Sequence, residues 1–198
     1  MHQYPPTTEA SRTLLTKKDI EYKNAIEEFA SKRLELSFGN KGAIHAAIVV
    51  TTIFDNSSEV RIFAHNMNGE ISNLAGYYQS LVNFIESGKR LTVVLDGLKE
   101  DFPIKKLSQA CRFIYEESNK NNNVNLLKAS ESFTKEIQKI SANNTLSHFA
   151  IGDDSMIRIE TDNDQHIAPF CSFNSKKVAS IFIDAFDKQL NTCKEFSF

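Results

Sequence analysis

Three polar residues follow two predicted strands, at positions where ligands commonly bind. His65 and Asn66 come directly after the apolar segment 60–64, and Asp96 comes directly after the segment 91–95. In open α/β sheets, ligands bind beyond the carboxyl ends of the strands, so these three side chains could flank one cleft. Asparagine and aspartate also populate such loops because they form turns. One hypothesis is therefore a sensor that binds a small anionic ligand or a nucleotide here.

A second set of polar residues lies in the last third of the chain. His148 is on a predicted strand, Asp154 lies in the turn after it, and Arg158 is on the next strand. Ser172 and Asn174 precede the final predicted helix. His148 could face a ligand or be a half-buried histidine with a hydrogen-bond partner. Ser172 and Asn174 could line a polar pocket, whereas Asn174 could instead cap the helix.

The sequence predicts neither a metal site nor a cofactor. The cysteines, Cys111, Cys171 and Cys193, are odd in number and widely spaced, which argues against a disulfide framework. No cysteine–histidine cluster has zinc spacing. Asp162 and Asp164 lack the glycine and the distal glutamate of a calcium loop. The glycines are scattered and form no phosphate-binding loop.

Hydrophobic periodicity predicts the elements that position these residues. Helices are predicted over residues 17–37, 41–55, 70–87, 103–117, 130–140 and 175–192. Strands are predicted over 60–64, 91–95, 124–127, 146–151 and 156–160, with a further short strand within 167–173. The alternation of strands and helices predicts crossover connections and parallel pairing.

The predicted fold class is α/β, with a mixed, largely parallel sheet, helices on both faces and a C-terminal antiparallel hairpin. Residues 1–16 are predicted to form a flexible arm and residues 17–198 a single domain. Within that domain, residues 17–56 would supply two N-terminal helices, and residues 59–192 would supply the sheet and its other helices.

The segment 59–190 resembles the phospholipase D superfamily in three local features. A predicted helix ends at Gly88 and is followed by the apolar strand 91–95. His148 on a strand is followed by an aspartate turn and a second strand. The residues Cys-Ser-Phe-Asn at 171–174 resemble the Gly-Ser-x-Asn segment of the family.

This resemblance implies a site that has lost its reaction. In active members of the superfamily, the motif is His-x-Lys-x4-Asp: the histidine attacks phosphorus, the lysine holds the phosphate charge and the aspartate orients. Here His148 matches, but the lysine position is Ala150 and the aspartate position is Ser155. Loss of one electrostatic stabiliser typically lowers a rate about 100- to 1,000-fold. The resemblance also implies, weakly, a dimer.

Bulk composition limits the partners. The net charge is −2 and the pI about 6.2, so no global basic field indicates nucleic acid. No signal peptide or membrane-spanning segment is apparent, so we expect a cytoplasmic protein without a membrane partner. We expect a non-catalytic accessory module that binds itself or another protein, in a nucleic-acid-processing or anti-phage defence assembly. The alternatives are the sensor and a phosphodiesterase or nuclease in which His148 is the nucleophile. In that enzyme, Arg158 or another lysine, such as Lys176 or Lys177, would replace the missing lysine.

Overall fold

A seven-stranded mixed sheet organises the chain. The computed structural model describes residues 15–67, 69–98, 102–161 and 169–196. The strands are β1 (Glu59–Ala64), β2 (Arg90–Leu95), β3 (Val124–Lys128), β4 (Ser147–Gly152), β5 (Met156–Thr161), β6 (Phe170–Ser172) and β7 (Lys194–Glu195). They lie in the order β6-β5-β4-β1-β2-β3-β7.

The pairing of the strands corrects one expectation. Only the neighbours β1–β2 and β2–β3 pair in parallel within the described chain. The other four pairings, β1–β4, β4–β5, β5–β6 and β3–β7, are antiparallel. The expectation of a largely parallel sheet is therefore wrong. The reason is that β4 inserts beside β1 in the opposite direction, so the predicted hairpin and β6 extend an antiparallel half of the same sheet.

Helices cover both faces of the sheet, as predicted. They are α1 (Lys17–Ser31), α2 (Gly42–Asn56), α3 (Ala75–Glu86), α4 (Gln109–Ser118), α5 (Glu131–Ile140) and α6 (Lys176–Gln189). Side chains of α1 to α4 pack on one face, around Val60, Leu91 and Val93. Side chains of α5 and α6 pack on the other face, around Phe63 and Phe149. Alternation along each strand thus supplies two separate apolar cores.

Local backbone chemistry sets the ends of several helices. Thr16 and Asp19 form a reciprocal capping box at the start of α1, which satisfies backbone donors there. The predicted extension of α1 to residue 37 does not form, because Arg33 has a φ of 47° just past its end. Gly88, with a φ of 76°, follows α3 as the sequence predicts. Ser108 caps α4, which is shorter than predicted because residues 104–106 form a separate 3-10 turn.

Some expectations lie partly outside the described residues. These include most of the proposed arm at 1–16 and the acidic loop with Asp162 and Asp164. The last short strand is confirmed for Phe170–Ser172 only. In the part of the chain that the structure describes, no helix combines the length and apolarity needed to cross a membrane.

Candidate functional site

A cleft of about 260 Å³ opens where the central strands end. It lies at the carboxyl end of β1 and at the amino end of β4, which runs in the opposite direction. Its walls include His65, Asn66, His148, Arg158 and Glu160. The cleft therefore contains residues from both sets of polar side chains that the sequence analysis treated separately.

Strand register brings three ionisable side chains close together at one end of the central strands. Ala64 on β1 pairs with Leu95 on β2, so His65 and Asp96 each follow the last paired residue. One further backbone hydrogen bond joins the two loops beyond this pair, because the Gly97 amide donates to the His65 carbonyl at 2.7 Å. On the other side of β1, Phe63 pairs with Phe149, so His148 lies one residue beyond that pair.

Asp96 connects two imidazoles. His65 Nδ1 lies 3.0 Å from Asp96 Oδ1, and His148 Nε2 lies 3.2 Å from Asp96 Oδ2. The side chains of Asp96 and His148 are only 12% and 15% exposed, whereas that of His65 is 62% exposed. Because a carboxylate oxygen accepts hydrogen bonds, each contact is satisfied when the facing ring nitrogen carries the proton.

Aromatic packing and one glycine fix the two rings. The His148 ring packs against Phe63, with 5.1 Å between ring centroids. The His65 ring lies over Gly97, where a Cβ atom would come within 2.0 Å of its Cε1 atom. Any residue larger than glycine at position 97 would therefore displace the His65 ring.

Arg158 lies in the same cleft, beside the position where the family motif has lysine. Arg158 pairs directly with Ala150 across the β4–β5 ladder, so their side chains share a face. The guanidinium donates from Nε to Asn40 Oδ1 at 3.1 Å and from Nη2 to Glu160 Oε2 at 2.8 Å. Arg158 is buried, and its guanidinium is paired with Asn40 and with Glu160, which is the cross-strand partner of His148.

Negative charge predominates in and beside the cleft. Among the described residues of its wall, Arg158 supplies the only permanent positive charge, and Glu70 and Glu160 supply negative charges. Asp96 adds a third carboxylate through its contacts with both imidazoles. With neutral histidines, this arrangement repels an anion more than it attracts one.

The remaining candidates lie at the other end of β4, near the turn that leads into β5. Asp154 is exposed in the β4–β5 turn, where its Oδ2 forms a 3.0 Å ion pair with Lys176. Lys176 and neighbouring hydrogen bonds lower the pKa of this carboxyl group. Ser172 pairs with Ile157, near the same turn. The structure therefore does not bring Asp154 or Ser172 to His148.

Asn174 also lies near this end of the strands, and it does not cap the last helix. The N-cap residue of α6 is Ser175, without a side-chain cap. The Asn174 side chain instead donates to the Arg33 carbonyl at 2.9 Å, which ties the start of α6 to the end of α1. The alternative of an N-cap role for Asn174 is wrong.

Sequence reasoning missed the contact between Asp96 and His148. These residues are 52 positions apart and belonged to separate hypotheses. Antiparallel placement of β4 beside β1 was the missing information, because it brings the start of β4 to the end of β1. The roles of Asn40 and Gly97 were missed as well, because neither residue carries a local signal for them.

Cys171 pairs with Arg158 across the β5–β6 ladder but is not a candidate nucleophile. Its thiol is within 3.5 Å of Asn40 Oδ1 and is fully buried. Burial raises its pKa to about 12, so the thiol is neutral near pH 7.

A larger groove of about 450 Å³ lies elsewhere, on α1, α2 and α3. Its surface is mainly apolar, with Leu15, Ile44, Ile48 and Leu74 among the lining residues. The smaller cleft is the better candidate for chemistry, because three ionisable side chains from separate strands converge there.

The fold and the cleft define a three-layer α/β domain with a histidine–aspartate–histidine cluster at the strand ends. The chain matches no protein-family model and no curated protein. Among solved structures it is similar to TrmBL2, an archaeal chromatin protein whose structure shows a mode of DNA binding, with a TM-score of 0.57 and 11% identity. The similarity covers 90% of this chain and 62% of that chain, so this chain spans about three-fifths of its length. At this identity the likeness is one of fold.

Proposed function

We propose that this chain is a non-catalytic, phospholipase D-like binding module in an assembly that processes nucleic acid or defends against phage. In this proposal the domain is cytoplasmic and binds itself or a protein partner, and the cleft binds a ligand without cleaving it. The chemistry of the cleft is the basis for the proposal.

One observation carries it: Arg158, the only permanent cation described in the cleft wall, is already paired with other side chains. Asp96 holds His148 at 3.2 Å, while Asn40 and Glu160 hold Arg158. A phosphodiester is an anion, and its attack by an imidazole needs positive charge at the phosphate. With Arg158 paired, the described cleft wall has no other permanent cation to hold a phosphate, which opposes catalysis by His148.

Nucleic acid is the partner class that the fold comparison suggests. TrmBL2 binds DNA, and 62% of its length is similar in fold to 90% of this chain. The net charge of −2 argues for weak contact through a local patch or through a protein partner. A nucleic-acid-binding role without chemistry is consistent with both observations.

Fluorescence anisotropy tests this partner class directly. Labelled single-stranded and double-stranded oligonucleotides would be titrated at about 50 and 200 mM salt, because phosphate contacts weaken as salt rises. Sedimentation velocity on the same samples would report self-association. We expect salt-dependent binding by the chain or by its oligomer. A monomer that binds neither type of oligonucleotide would refute the nucleic-acid part of the proposal.

A phosphodiesterase with a rearranged site is the second candidate, and one observation favours it. Arg158 lies directly across from Ala150, on the face that the family lysine would occupy. If Glu160 moved aside, as its half-exposed side chain would permit, the guanidinium could turn toward a bound phosphate. This candidate requires that the wild-type chain hydrolyse a phosphodiester and that the Arg158→Met substitution abolish this hydrolysis.

A further inference from the structure

We propose that His65, Asp96 and His148 form a site for a divalent transition metal of the zinc class. One ligand atom from each residue lies within 4.8 Å of the others. The residues come from the end of β1, the end of β2 and the start of β4, so three neighbouring strands fix the site. The proposal deepens the binding function proposed above, because the metal would supply the positive charge that the cleft lacks.

Two contacts between ligand atoms are near tetrahedral spacing, each to a different oxygen of Asp96, and all three ligand atoms lie within 4.8 Å of one another. Zinc binds imidazole nitrogen and carboxylate oxygen at about 2.0–2.2 Å, so ligands at adjacent tetrahedral corners are roughly 3.3 Å apart. His65 Nδ1 is 3.0 Å from Asp96 Oδ1, and His148 Nε2 is 3.2 Å from Asp96 Oδ2. Small side-chain rotations would let one ion replace both shared protons.

The donor atoms indicate which metal. Two imidazoles and one carboxylate suit zinc, cobalt, nickel or iron(II), whereas calcium and magnesium prefer oxygen ligands alone. The excess of carboxylates in and beside the cleft favours a divalent cation electrostatically.

Gly97 is an independent feature of the same site. The His65 ring occupies the space that a side chain at position 97 would need, with atoms as close as 2.0 Å to the position of a Cβ. Glycine at this position lets the exposed imidazole lie back against the strand end, with Nδ1 facing Asp96. The position of His65 therefore depends on its backbone environment as well as on one hydrogen bond.

Three protein ligands leave a fourth position for an external one. This is the arrangement of zinc sites that bind water or a substrate, in contrast to closed structural sites. We infer that the fourth position takes an anionic oxygen, such as that of a phosphate group.

Titration with Zn²⁺ alone tests the site without any nucleic acid or substrate. Tag-free protein would compete with a chromophoric chelator for Zn²⁺. In a separate titration, the visible absorption of Co²⁺ would report tetrahedral coordination. We expect His65→Ala to lower the Zn²⁺ affinity at least about 100-fold, since even indirect partners of a metal site are worth about 10–100-fold. His65 is exposed, so this variant should fold, which its urea midpoint would verify.

Two matched controls separate the site from general effects. His45→Ala removes a histidine that pairs with Asp19 and should leave the affinity unchanged. Gly97→Ala should weaken binding about 10-fold or more, while Gly76→Ala, which has open space around it, should not. Equal Zn²⁺ affinity in the wild type and His65→Ala would overturn the metal proposal.

The fourth position has its own readout. Inorganic phosphate should change the visible spectrum of the Co²⁺-loaded chain, and an unchanged spectrum would overturn the anion part. Neither result depends on oligonucleotide binding or hydrolysis, so failure here is distinct from failure of the proposed function.

Discussion

Asp96 determines what the two histidines of the cleft can do. Its carboxylate occupies Nδ1 of His65 and Nε2 of His148, which leaves the opposite nitrogen of each ring for other contacts. With protons between the atoms, Asp96 sets the tautomer of each ring. With a metal between them, as proposed above, Asp96 becomes a ligand.

The two rings should therefore carry their protons on different nitrogens. In metal-free protein with neutral imidazoles, we expect His65 to carry its proton at Nδ1 and His148 at Nε2, the atoms that face Asp96. Long-range proton–nitrogen NMR correlations distinguish these tautomers. Finding both rings as the same tautomer would show that Asp96 does not bridge them.

Gly152 allows close packing at the other end of β4. A Cβ atom there would lie 2.1 Å from Ser57 Oγ and 2.6 Å from Ile53 Cγ2, and both residues are buried. We expect Gly152→Ala to destabilise the fold by about 1–3 kcal/mol, the usual range for overpacking. Urea denaturation would measure this change in the free energy of unfolding.

Gly76→Ala is the matched control, because Gly76 lies in helix α3 with no atom near the added methyl group. Alanine in a helix is favoured over glycine by up to about 1 kcal/mol, so this variant should be as stable as the wild type or more so. Equal losses in the two variants would contradict the packing described for Gly152.

At the scale of elements, Ser108 links α4 to the loop that follows His65. Its hydroxyl accepts from the Cys111 amide at 3.1 Å and donates to the Met67 carbonyl at 2.7 Å. Ser108→Ala should cost about 1–3 kcal/mol, because it removes a helix cap and leaves a buried carbonyl without this donor. Chemical denaturation would measure the loss.

A comparable serine on the surface serves as the reference. Ser180 is exposed in α6 and its hydroxyl only contacts the Lys177 carbonyl of the same helix. Ser180→Ala should change stability by less than about 0.5 kcal/mol. If Ser108→Ala changed the stability as little as Ser180→Ala, the link between α4 and the loop after His65 would not stabilise the fold.

Element types were largely predictable from the sequence, but the direction of pairing was not. The stripes of α3 and α6 and the continuous apolar run of β2 have periodicities that indicate their structure. The placement of β4 beside β1 depends on contacts between segments more than 80 residues apart, which periodicity does not report. For the same reason the sequence predicted a cleft with His65 and Asp96 but not the inclusion of His148. The strand β7, with two residues, is too short to leave any pattern.

At the scale of the whole molecule, folding protects two thiols. Cys111 and Cys171 are fully buried, and burial raises their pKa values to about 11 and about 12. At about pH 8 no more than roughly one in a thousand of either thiol would be ionised. Iodoacetamide should therefore modify Cys193, which is partly exposed, well before the other two.

Mass spectrometry of the alkylated chain would establish the order. In urea all three thiols should react at similar rates. Because the folded pKa values are raised above the ordinary 9.0, the stabilisation from neutral buried thiols is complete below that pH. It should be lost as the pH rises toward the folded values. Rapid modification of Cys171 in the folded chain would contradict the burial of its thiol.

The charge distribution of the cleft gives the whole molecule its proposed role as a binder. Hydrolysis of a chromogenic phosphodiester and of labelled oligonucleotides, by wild type and by His148→Ala, tests this most directly, both with EDTA and with added Zn²⁺. We expect no hydrolysis by the wild type beyond that of the variant in either condition. Turnover by the wild type that the His148→Ala substitution abolishes would contradict the proposed binding role.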